Sequence, residues 1–167
     1  MKNNFAVFIL SHGRADNLKT LGTLRRQGYT GKIYVILDNE DDQIEEYKKI
    51  RDIEVIVFDK LQEMERTDTI DNFHKHKAVV YARNKCHDIA KDLGLEYFLE
   101  LDDDYSSFMF RYEKDDTLSS VQCKNLDKVF DAMLKFLDQT GAYSVAFAQG
   151  GDFIGGASSQ FWQKKIH

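Results

Sequence analysis

Short apolar runs alternate with amphipathic segments along most of the chain, and this alternation restricts the fold more than any other feature. The continuous runs Phe5–Leu10 and 32–37 predict strands that are buried on both faces. Between such runs, apolar residues recur at helical spacing. Strands separated by helices form βαβ units, so we predict an α/β fold with a mainly parallel sheet flanked by helices.

The remaining elements are predicted from the apolar spacing and from the residues that interrupt it. Further strands are predicted at Glu54–Phe58, 97–101, 108–112 and 143–148. Helices are predicted at 17–27, 43–51, 74–93 and 123–139, with Asp16 capping the first of them. The polar segment 59–72 has no periodicity and is predicted to be a loop with room for one helical turn.

Length and composition indicate a single globular domain. The chain has 167 residues, and no linker, repeat or low-complexity segment divides it, so we expect one domain over residues 1–167. Acidic residues outnumber basic ones by 28 to 23, which gives a net charge of −5. The chain therefore lacks the overall basic excess that drives binding to a nucleic-acid backbone. A net acidic chain can still carry a local basic patch.

The cysteines and the first apolar run bear on the cellular environment. Two cysteines, Cys86 and Cys123, are too few for a disulfide-rich secreted scaffold or a four-cysteine zinc site, and both are predicted to be buried thiols. The first apolar run has six residues before Ser11, too few for a signal sequence or a membrane span. These features predict a soluble, cytoplasmic protein without a membrane partner.

Polar clusters directly follow three of the predicted strands. SHGR (11–14) follows the first strand, DNEDD (38–42) follows the second, and DDD (102–104) follows the fourth. In parallel α/β sheets, ligands bind beyond the carboxyl ends of the strands, at the point where the strand order reverses. We therefore predict that these clusters form one site.

The aspartate triplet is the strongest chemical signal. Adjacent carboxylates repel one another, so they are costly at a strand end unless cations or hydrogen-bond donors compensate. Side chains of an extended backbone alternate, which places Asp102 and Asp104 on one side with Asp103 between them. A hard divalent cation binds carboxylate oxygens and leaves positions free for a diphosphate. A solvated acidic turn is the alternative.

The first two clusters offer groups that suit a nucleotide. Gly13 permits a tight turn, and the helix start after it is expected to offer free backbone amides to an anion. Arg14 offers a bidentate donor to a phosphate, and Asp38 can accept hydrogen bonds from ribose hydroxyls or a base imide. The alternatives are an ordinary strand-to-helix turn with an exposed arginine and, for Asp38, a helix cap or an acidic turn.

Two further segments carry candidate residues. Lys77, Arg83 and Asn84 lie on the predicted helix that leads to the aspartates. Arg83 and Asn84 are expected to face the site together, and a solvated helical face is the alternative for Lys77. The glycine-rich segment 150–156 brings flexible backbone to Asp152, a candidate catalytic carboxylate near an acceptor, with a plain glycine turn as the alternative.

Several enzyme classes lack their sequence signatures in this chain. It has no GxGxxG motif and no phosphate-binding loop ending in GK[ST], which argues against dinucleotide oxidoreductases and ATPases of those types. It also has no HExxH motif, no other zinc spacing and no GxSxG motif, which argues against a zinc site and an α/β-hydrolase. The polar clusters at the strand ends are therefore the main guide to function.

Four motifs, taken in their order along the chain, resemble a known enzyme superfamily. They are SHGR after the first strand, an acidic residue ending the second, ARN (82–84) on the long helix and LDDD (101–104) at the fourth strand. This combination resembles the GT-A glycosyltransferases. With the continuation LDDDYSSF, it is most similar to the TET-associated and phage-type glycosyltransferases linked to modified DNA bases, over roughly residues 5–156.

The resemblance implies a GT-A-like fold, a nucleotide-sugar donor of the UDP type and Mn²⁺ or Mg²⁺ bridging the diphosphate of the donor. It implies metal binding by Asp102 and Asp104. It also implies donor binding by Ser11, Arg14, Asp38, Lys77, Arg83, Asp102 and Asp103. The cation would stabilise the departing diphosphate while an acceptor hydroxyl, for which the resemblance suggests a modified DNA base, attacks the anomeric carbon.

The chain departs from the family pattern at two points. Leu10 stands where a proline usually precedes the first turn serine, and the chain ends at His167, before the acceptor-binding elements with which such enzymes generally continue. The apolar ending FWQKKI leads us to expect a fragment or a reduced domain.

The sequence leaves two alternatives to a sugar transferase. One is a non-catalytic module that binds a nucleotide or partner, and the other is a Mg²⁺-dependent phosphotransfer or nucleotidyltransfer enzyme.

Overall fold

The computed structural model describes residues 4–68, 79–115 and 117–148 of the protein. Strands and helices alternate over most of this length, as the apolar spacing predicts. In chain order the elements are β1 (Phe5–Leu10), α1 (Lys19–Arg26), β2 (Ile33–Asp38), α2 (Ile44–Tyr47), β3 (Glu54–Phe58), α3 (Lys60–Arg66), α4 (Val80–Asp92), β4 (Tyr97–Asp102), β5 (Met109–Lys114), β6 (Thr117–Gln122) and α5 (Leu126–Thr140).

Four parallel strands form the main sheet, in the order β3-β2-β1-β4. The pairing of β1 with β4 ends with Leu10 opposite Asp102, which brings the end of β1 beside the aspartate triplet. β5 and β6 pair in antiparallel fashion as a separate two-stranded sheet. The predicted α/β fold is confirmed, and the strand order reverses between β1 and β4, the place where such sheets bind ligands.

β1 lies at the centre of the hydrophobic core. Every residue of this strand is buried, because alternate side chains enter the core on opposite faces of the sheet. On one face Ile9 belongs to a cluster with Leu24 of α1 and Phe130 of α5, and on the other Phe8 belongs to a cluster with Tyr81 of α4. Burying each such side chain contributes about 1.5–3 kcal/mol, so helices on both faces hold β1 in place.

α3 forms in the segment 59–72, for which the sequence predicts a loop with room for one helical turn. With 7 residues, the helix is longer than that turn. Asp59 caps this helix, since its carboxylate accepts a hydrogen bond from the Gln62 amide at 3.0 Å. The residues of α3 are mostly polar but have high helix propensity, so the helix forms without the apolar periodicity that would reveal it. The predicted cap at Asp16 is wrong: α1 begins at Lys19, and Leu18 occupies its N-cap position.

The remaining predicted helices are confirmed, with shifted ends. α2 is shorter than the predicted 43–51. α5 begins at Leu126 rather than at 123, because Asn125 caps it by accepting a hydrogen bond from the Lys128 amide at 3.0 Å. α4 begins at Val80 within the described residues, and 74–78 of the predicted span lie outside them. No helix in the described ranges is long and apolar enough to cross a membrane.

The strand predicted at 143–148 is wrong, and one strand is missed. The segment has no strand conformation: Tyr143 is fully exposed, and Phe147 packs against the core as a separate anchor. The sequence does not predict β6, because TLSSVQ lacks a clear alternation of apolar and polar residues. It is positioned by its pairing with β5, which extends from Met109–Gln122 to Lys114–Thr117.

Both cysteines are free and buried, as predicted. Cys86 lies on α4, and Cys123 lies between β6 and α5. Burial raises the pKa of each thiol, so the thiolate form that reacts with electrophiles is scarce at neutral pH. Their environment therefore suits core packing better than covalent catalysis.

Candidate active site

The polar clusters meet at the carboxyl end of the main sheet, as predicted. Asp103 joins two of them: its Oδ2 accepts a hydrogen bond from the Ser11 hydroxyl at 2.6 Å, and its Oδ1 accepts one from Arg14 Nη1 at 2.8 Å. The side chain of Asp103 is 9% exposed and that of Arg14 is 53% exposed. A buried carboxylate therefore fixes the SHGR turn against the aspartate triplet and leaves the arginine accessible to a ligand.

Thr20 of α1 holds the backbone of the aspartate triplet. Its hydroxyl donates to the Asp102 carbonyl at 2.6 Å and accepts from the Tyr105 amide at 2.9 Å. The Thr20 amide donates to the Asp103 carbonyl at 3.0 Å, and the threonine is fully buried. The backbone of the triplet is thus fixed, although only its central carboxylate is buried.

Tyr47 connects the SHGR turn to the segment that follows β2. Its hydroxyl accepts a hydrogen bond from the Arg14 amide at 2.8 Å and lies 2.7 Å from Ser11 Oγ. Because Ser11 donates its own proton to Asp103, the Tyr47 hydroxyl is the donor to Ser11. Burial raises the pKa of Tyr47, which keeps the phenol protonated for this role.

Side chains from the segment after β2 accept hydrogen bonds from the backbone amides of Gly13, in the SHGR turn, and of Ala15, directly after it. Gly13 N–H donates to Asp41 Oδ2 at 2.9 Å, and Ala15 N–H donates to Gln43 Oε1 at 2.9 Å. Gly13 has a φ of +65°, a conformation that glycine adopts without a steric penalty. The amides of Gly13 and Ala15 are therefore not free to bind an anion.

Two amides at the start of α1 are likewise paired. The Lys19 amide donates to the Asn17 carbonyl at 2.9 Å, and the Thr20 amide donates to the Asp103 carbonyl. The expectation that the helix start offers free amides is therefore wrong for these two residues.

Asp38 ends β2 and is held through both carboxylate oxygens. Its Oδ2 lies 3.0 Å from His12 Nδ1, while its Oδ1 accepts from the Glu40 amide at 3.0 Å and lies 3.6 Å from Lys60 Nζ. Lys60 is a buried cation whose ammonium group also lies 3.1 Å from the Glu40 carboxylate. Asp38 thus lies within the predicted site, but the protein already uses both of its oxygens.

Arg83 of α4 pairs with the first aspartate of the triplet. Its Nη2 lies 2.8 Å from Asp102 Oδ1, and its Nη1 lies 3.5 Å from Glu100 Oε2. Burial raises the pKa of Glu100, and the charge of Arg83 opposes this shift. Asn84, which was expected to face the site with Arg83, donates instead to the Thr67 hydroxyl at 3.2 Å.

Asp102 and Asp104 are the expected metal ligands. Asp104 is exposed and has no hydrogen bond or ion pair to another described residue, while Asp102 is partly exposed beside Arg83. Within residues 4–68, 79–115 and 117–148, no group of three or more His, Cys, Asp or Glu side chains could hold a metal ion. Two carboxylates nevertheless fit the chemistry of Mg²⁺, which proteins usually bind through one or two carboxylates together with substrate phosphates.

Some site residues lie outside the prediction or outside the described ranges. Lys77 and Asp152 are not among the described residues. Five residues that the sequence patterns do not single out also make contacts in the site: His12, Asp41, Gln43, Tyr47 and Lys60. His12 and Asp41 lie inside predicted clusters, and Tyr47 is an aromatic residue in a charged segment, which signals burial. Lys60 gives no such signal, because lysine in a polar segment is usually exposed.

A family comparison assigns the chain to an enzyme family, and the geometry is consistent with that assignment. A parallel sheet with acidic and basic clusters at the point where its strand order reverses, between β1 and β4, is consistent with a GT-A-like fold. The family model described as TET-Associated Glycosyltransferase matches residues 5–167. Comparisons with curated proteins and with solved structures give no significant match. The chain belongs to the TET-associated glycosyltransferase family.

Proposed function

We propose that this glycosyltransferase transfers a sugar from a nucleotide-diphosphate donor of the UDP type to an acceptor hydroxyl, with Mn²⁺ or Mg²⁺ as its cofactor. One observation carries the proposal: the 2.8 Å contact of Arg14 with Asp103 holds an exposed guanidinium beside the aspartate triplet at the switch point of the sheet. A phosphate-binding cation next to accessible carboxylates suits a metal-bound diphosphate.

Two guanidinium groups are available to the diphosphate in this proposal. Arg14 uses Nη1 to contact Asp103, and its remaining N–H groups can donate to a phosphate. Arg83 is partly exposed beside Asp102 and can donate in the same way. Lys77, which the motif resemblance assigns to the donor, is proposed to add a third cation. Together these side chains would offset the negative charge of the diphosphate before and during its departure.

Asp102 and Asp104 would hold the cation through their carboxylates. When bound, a divalent cation supplies positive charge to the diphosphate as the bond to the sugar breaks. The role of the protein is to position these groups in advance. Thr20 fixes the backbone of the triplet, and Arg83 offsets part of the repulsion between its carboxylates.

Ser11 and Asp38 are proposed to lie towards the nucleoside end of the donor. β2 and β4 flank β1 on opposite sides, so Asp38 is further from the triplet across the sheet than the SHGR turn is. A donor whose diphosphate lies between the ends of β1 and β4 can extend its nucleoside across β1 towards β2. Ser11 lies between the two regions, because it bonds both Tyr47 and Asp103.

The proposed acceptor is a hydroxyl group of a modified base in DNA, as the motif resemblance suggests. The acceptor oxygen would form the new bond to the anomeric carbon as the bond from that carbon to the diphosphate breaks. The hydroxyl proton would pass to a carboxylate, for which Asp152 is the proposed residue. The net charge of −5 gives no support of its own to a DNA acceptor, so this part of the proposal depends on the resemblance.

A turnover assay tests the proposal. The full chain is incubated with a UDP-sugar, Mn²⁺ and DNA that carries a hydroxymethylated base, and the release of UDP and the mass of the DNA are measured. We expect transfer that requires the cation and falls about a hundredfold in Asp104→Ala. Asp92→Ala, which removes an exposed aspartate at the end of α4, is the matched control and should react like the wild type.

The same assay distinguishes the alternatives when donor binding is measured beside it and a nucleoside triphosphate is offered as a competing substrate. A non-catalytic module would bind the donor without transferring or hydrolysing it. A nucleotidyltransfer enzyme would consume a nucleoside triphosphate in preference to a UDP-sugar. Either result would contradict the proposed reaction while remaining compatible with a ligand at the aspartate triplet.

A further inference from the structure

His12 is the exposed member of a hydrogen-bonded pair at the carboxyl ends of β1 and β2. Its Nδ1 lies 3.0 Å from Asp38 Oδ2 and 3.9 Å from Asp41 Oδ2. The His12 side chain is 56% exposed, whereas that of Asp38 is 13% exposed and that of Asp41 is fully buried. A ligand at this end of the sheet therefore reaches the imidazole more readily than either carboxylate.

Asp38 is fixed independently of His12. Its Oδ1 accepts a hydrogen bond from the Glu40 amide at 3.0 Å and lies 3.6 Å from the ammonium group of the buried Lys60. The Lys60 amide donates to Asn39 Oδ1 at 3.0 Å, which connects the start of α3 to the same turn. A carboxylate held from one side in this way is a rigid acceptor for the imidazole on its other side.

The pairing determines which ring nitrogen of His12 can meet a ligand. A carboxylate only accepts hydrogen bonds, so Nδ1 carries the proton that His12 donates to Asp38. When Nδ1 carries the only ring proton, Nε2 has a free lone pair and can accept a hydrogen bond from an N–H or O–H group. An oriented, exposed acceptor of this kind suits the recognition of a neutral, hydrogen-bonding part of a ligand.

We propose that His12 is a specificity-determining residue that accepts a hydrogen bond from the nucleoside of the donor, with Asp38 as the positioning residue behind it. The inference rests on the proposed function, in which the diphosphate lies at Arg14 and the aspartate triplet. Ser11 bonds Asp103 on the β4 side, and the next residue, His12, bonds Asp38 on the β2 side. The SHGR turn thus reaches both regions, with Arg14 at the proposed diphosphate and His12 at the nucleoside. The group that His12 recognises is a ribose hydroxyl or a base N–H.

Calorimetric titration of the full chain with UDP, 2′-deoxy-UDP and inorganic pyrophosphate, each with Mg²⁺, tests the inference. His12→Ala should weaken the binding of UDP about five- to tenfold, the effect of one hydrogen bond, and leave the binding of pyrophosphate unchanged. Arg14→Ala should weaken the binding of all three. His87→Ala is the matched control, because the ring of this α4 histidine contacts Phe98, and it should bind like the wild type.

Conservative variants separate recognition from a general structural effect. His12→Gln keeps a side-chain acceptor and should recover part of the affinity for UDP. Asp38→Ala should raise the KM for the donor much more than it changes kcat. Asp38→Asn should restore part of the lost affinity, because the amide oxygen can still accept from Nδ1.

The titration with 2′-deoxy-UDP shows which nucleoside group His12 recognises. A loss of affinity in His12→Ala that is confined to UDP identifies the ribose 2′-hydroxyl, and an equal loss of affinity for 2′-deoxy-UDP identifies another nucleoside group. Both results support the inference.

Two results would overturn the inference while leaving the proposed function intact. One is equal affinity of His12→Ala and the wild type for UDP, and the other is an equal loss of affinity for UDP and for pyrophosphate. Failure of the wild type to bind either UDP or pyrophosphate would overturn the proposed function itself, and the inference with it.

Discussion

Arg14 and Asp103 are 89 residues apart in the sequence, and Arg14 Nη1 lies 2.8 Å from Asp103 Oδ1. The contact connects the turns that follow β1 and β4, which are neighbours in the sheet. Ser11 donates to the same carboxylate at 2.6 Å. Asp103 is therefore the member of the triplet that holds the site together, while Asp102 and Asp104 are the members that a ligand can reach.

Asp103→Ala should lower the free energy of unfolding by about 1–3 kcal/mol, because it leaves the Ser11 hydroxyl and the Arg14 guanidinium without their acceptor. Asp103→Asn should lower the free energy of unfolding by less, since its amide oxygen still accepts a hydrogen bond. Urea unfolding followed by circular dichroism measures both variants. Asp104→Ala removes the exposed neighbouring carboxylate and serves as the control; an equal loss in the two alanine variants would contradict the role given to Asp103.

Tyr47→Phe should destabilise the protein by about 1–2 kcal/mol without leaving a large cavity. The change removes the hydroxyl that accepts from the Arg14 amide and donates to Ser11. Thermal unfolding measures the loss, and the affinity for the donor should fall with it because the SHGR turn loosens. Tyr34→Phe, at a buried tyrosine whose hydroxyl has no hydrogen bond to a described residue, should change neither quantity. Matching effects of the two substitutions would refute this explanation.

Arg83→Ala should lower kcat/KM for the donor about ten- to a hundredfold, because it removes a cation beside Asp102 and the proposed diphosphate. Arg83→Lys should recover only part of the activity, since a single ammonium group cannot contact both Asp102 and Glu100 as the guanidinium does. Steady-state kinetics over a range of donor concentrations gives the values. Arg66→Ala, at an exposed arginine that pairs with Asp88, is the control, and an unchanged kcat/KM in Arg83→Ala would exclude Arg83 from the site.

Both cysteines should react slowly with a thiol reagent in the folded protein. Burial raises the pKa of Cys86 and Cys123 above the usual 9.0, so at about pH 8 each carries less thiolate than a free cysteine does. The reaction rate should rise with pH towards the raised pKa values, and both thiols should react at once in urea. The time course with a chromogenic disulfide measures this, and two rapidly reacting thiols in native protein would contradict the assignment.

Much of the fold follows from local patterns in the sequence. β1 and β3 have the predicted ends, β2 is shifted by one residue, and β4 is one residue longer than predicted, because each strand coincides with a mainly apolar run. The position of the polar clusters at the strand ends is likewise readable from the sequence. α3 and β6 escape prediction because capping, propensity and pairing with a neighbour form them without a periodic apolar face.

The contacts within the site are less predictable than its location. A sequence shows that Asp103 follows a strand, but burial of its carboxylate under Ser11 and Arg14 depends on a partner turn far along the chain. The sequence predicts free amides at the helix start after that turn, but the Thr20 amide there donates to the Asp103 carbonyl. The amides of Gly13 and Ala15 likewise donate to Asp41 and Gln43. Hydrogen bonds between side chains that are distant in the chain produce no periodic pattern in the sequence. Only the structure therefore shows which polar groups are already paired.

Titration of the wild type, Asp104→Ala and Asp92→Ala with UDP, in the presence and absence of Mn²⁺, tests the central claim most directly. We predict that Mn²⁺ strengthens UDP binding at least about tenfold in the wild type and in Asp92→Ala, and that Asp104→Ala loses this gain while remaining folded. Binding of UDP that is independent of Mn²⁺, or that keeps its full dependence on Mn²⁺ in Asp104→Ala, would contradict a cation held by the aspartate triplet.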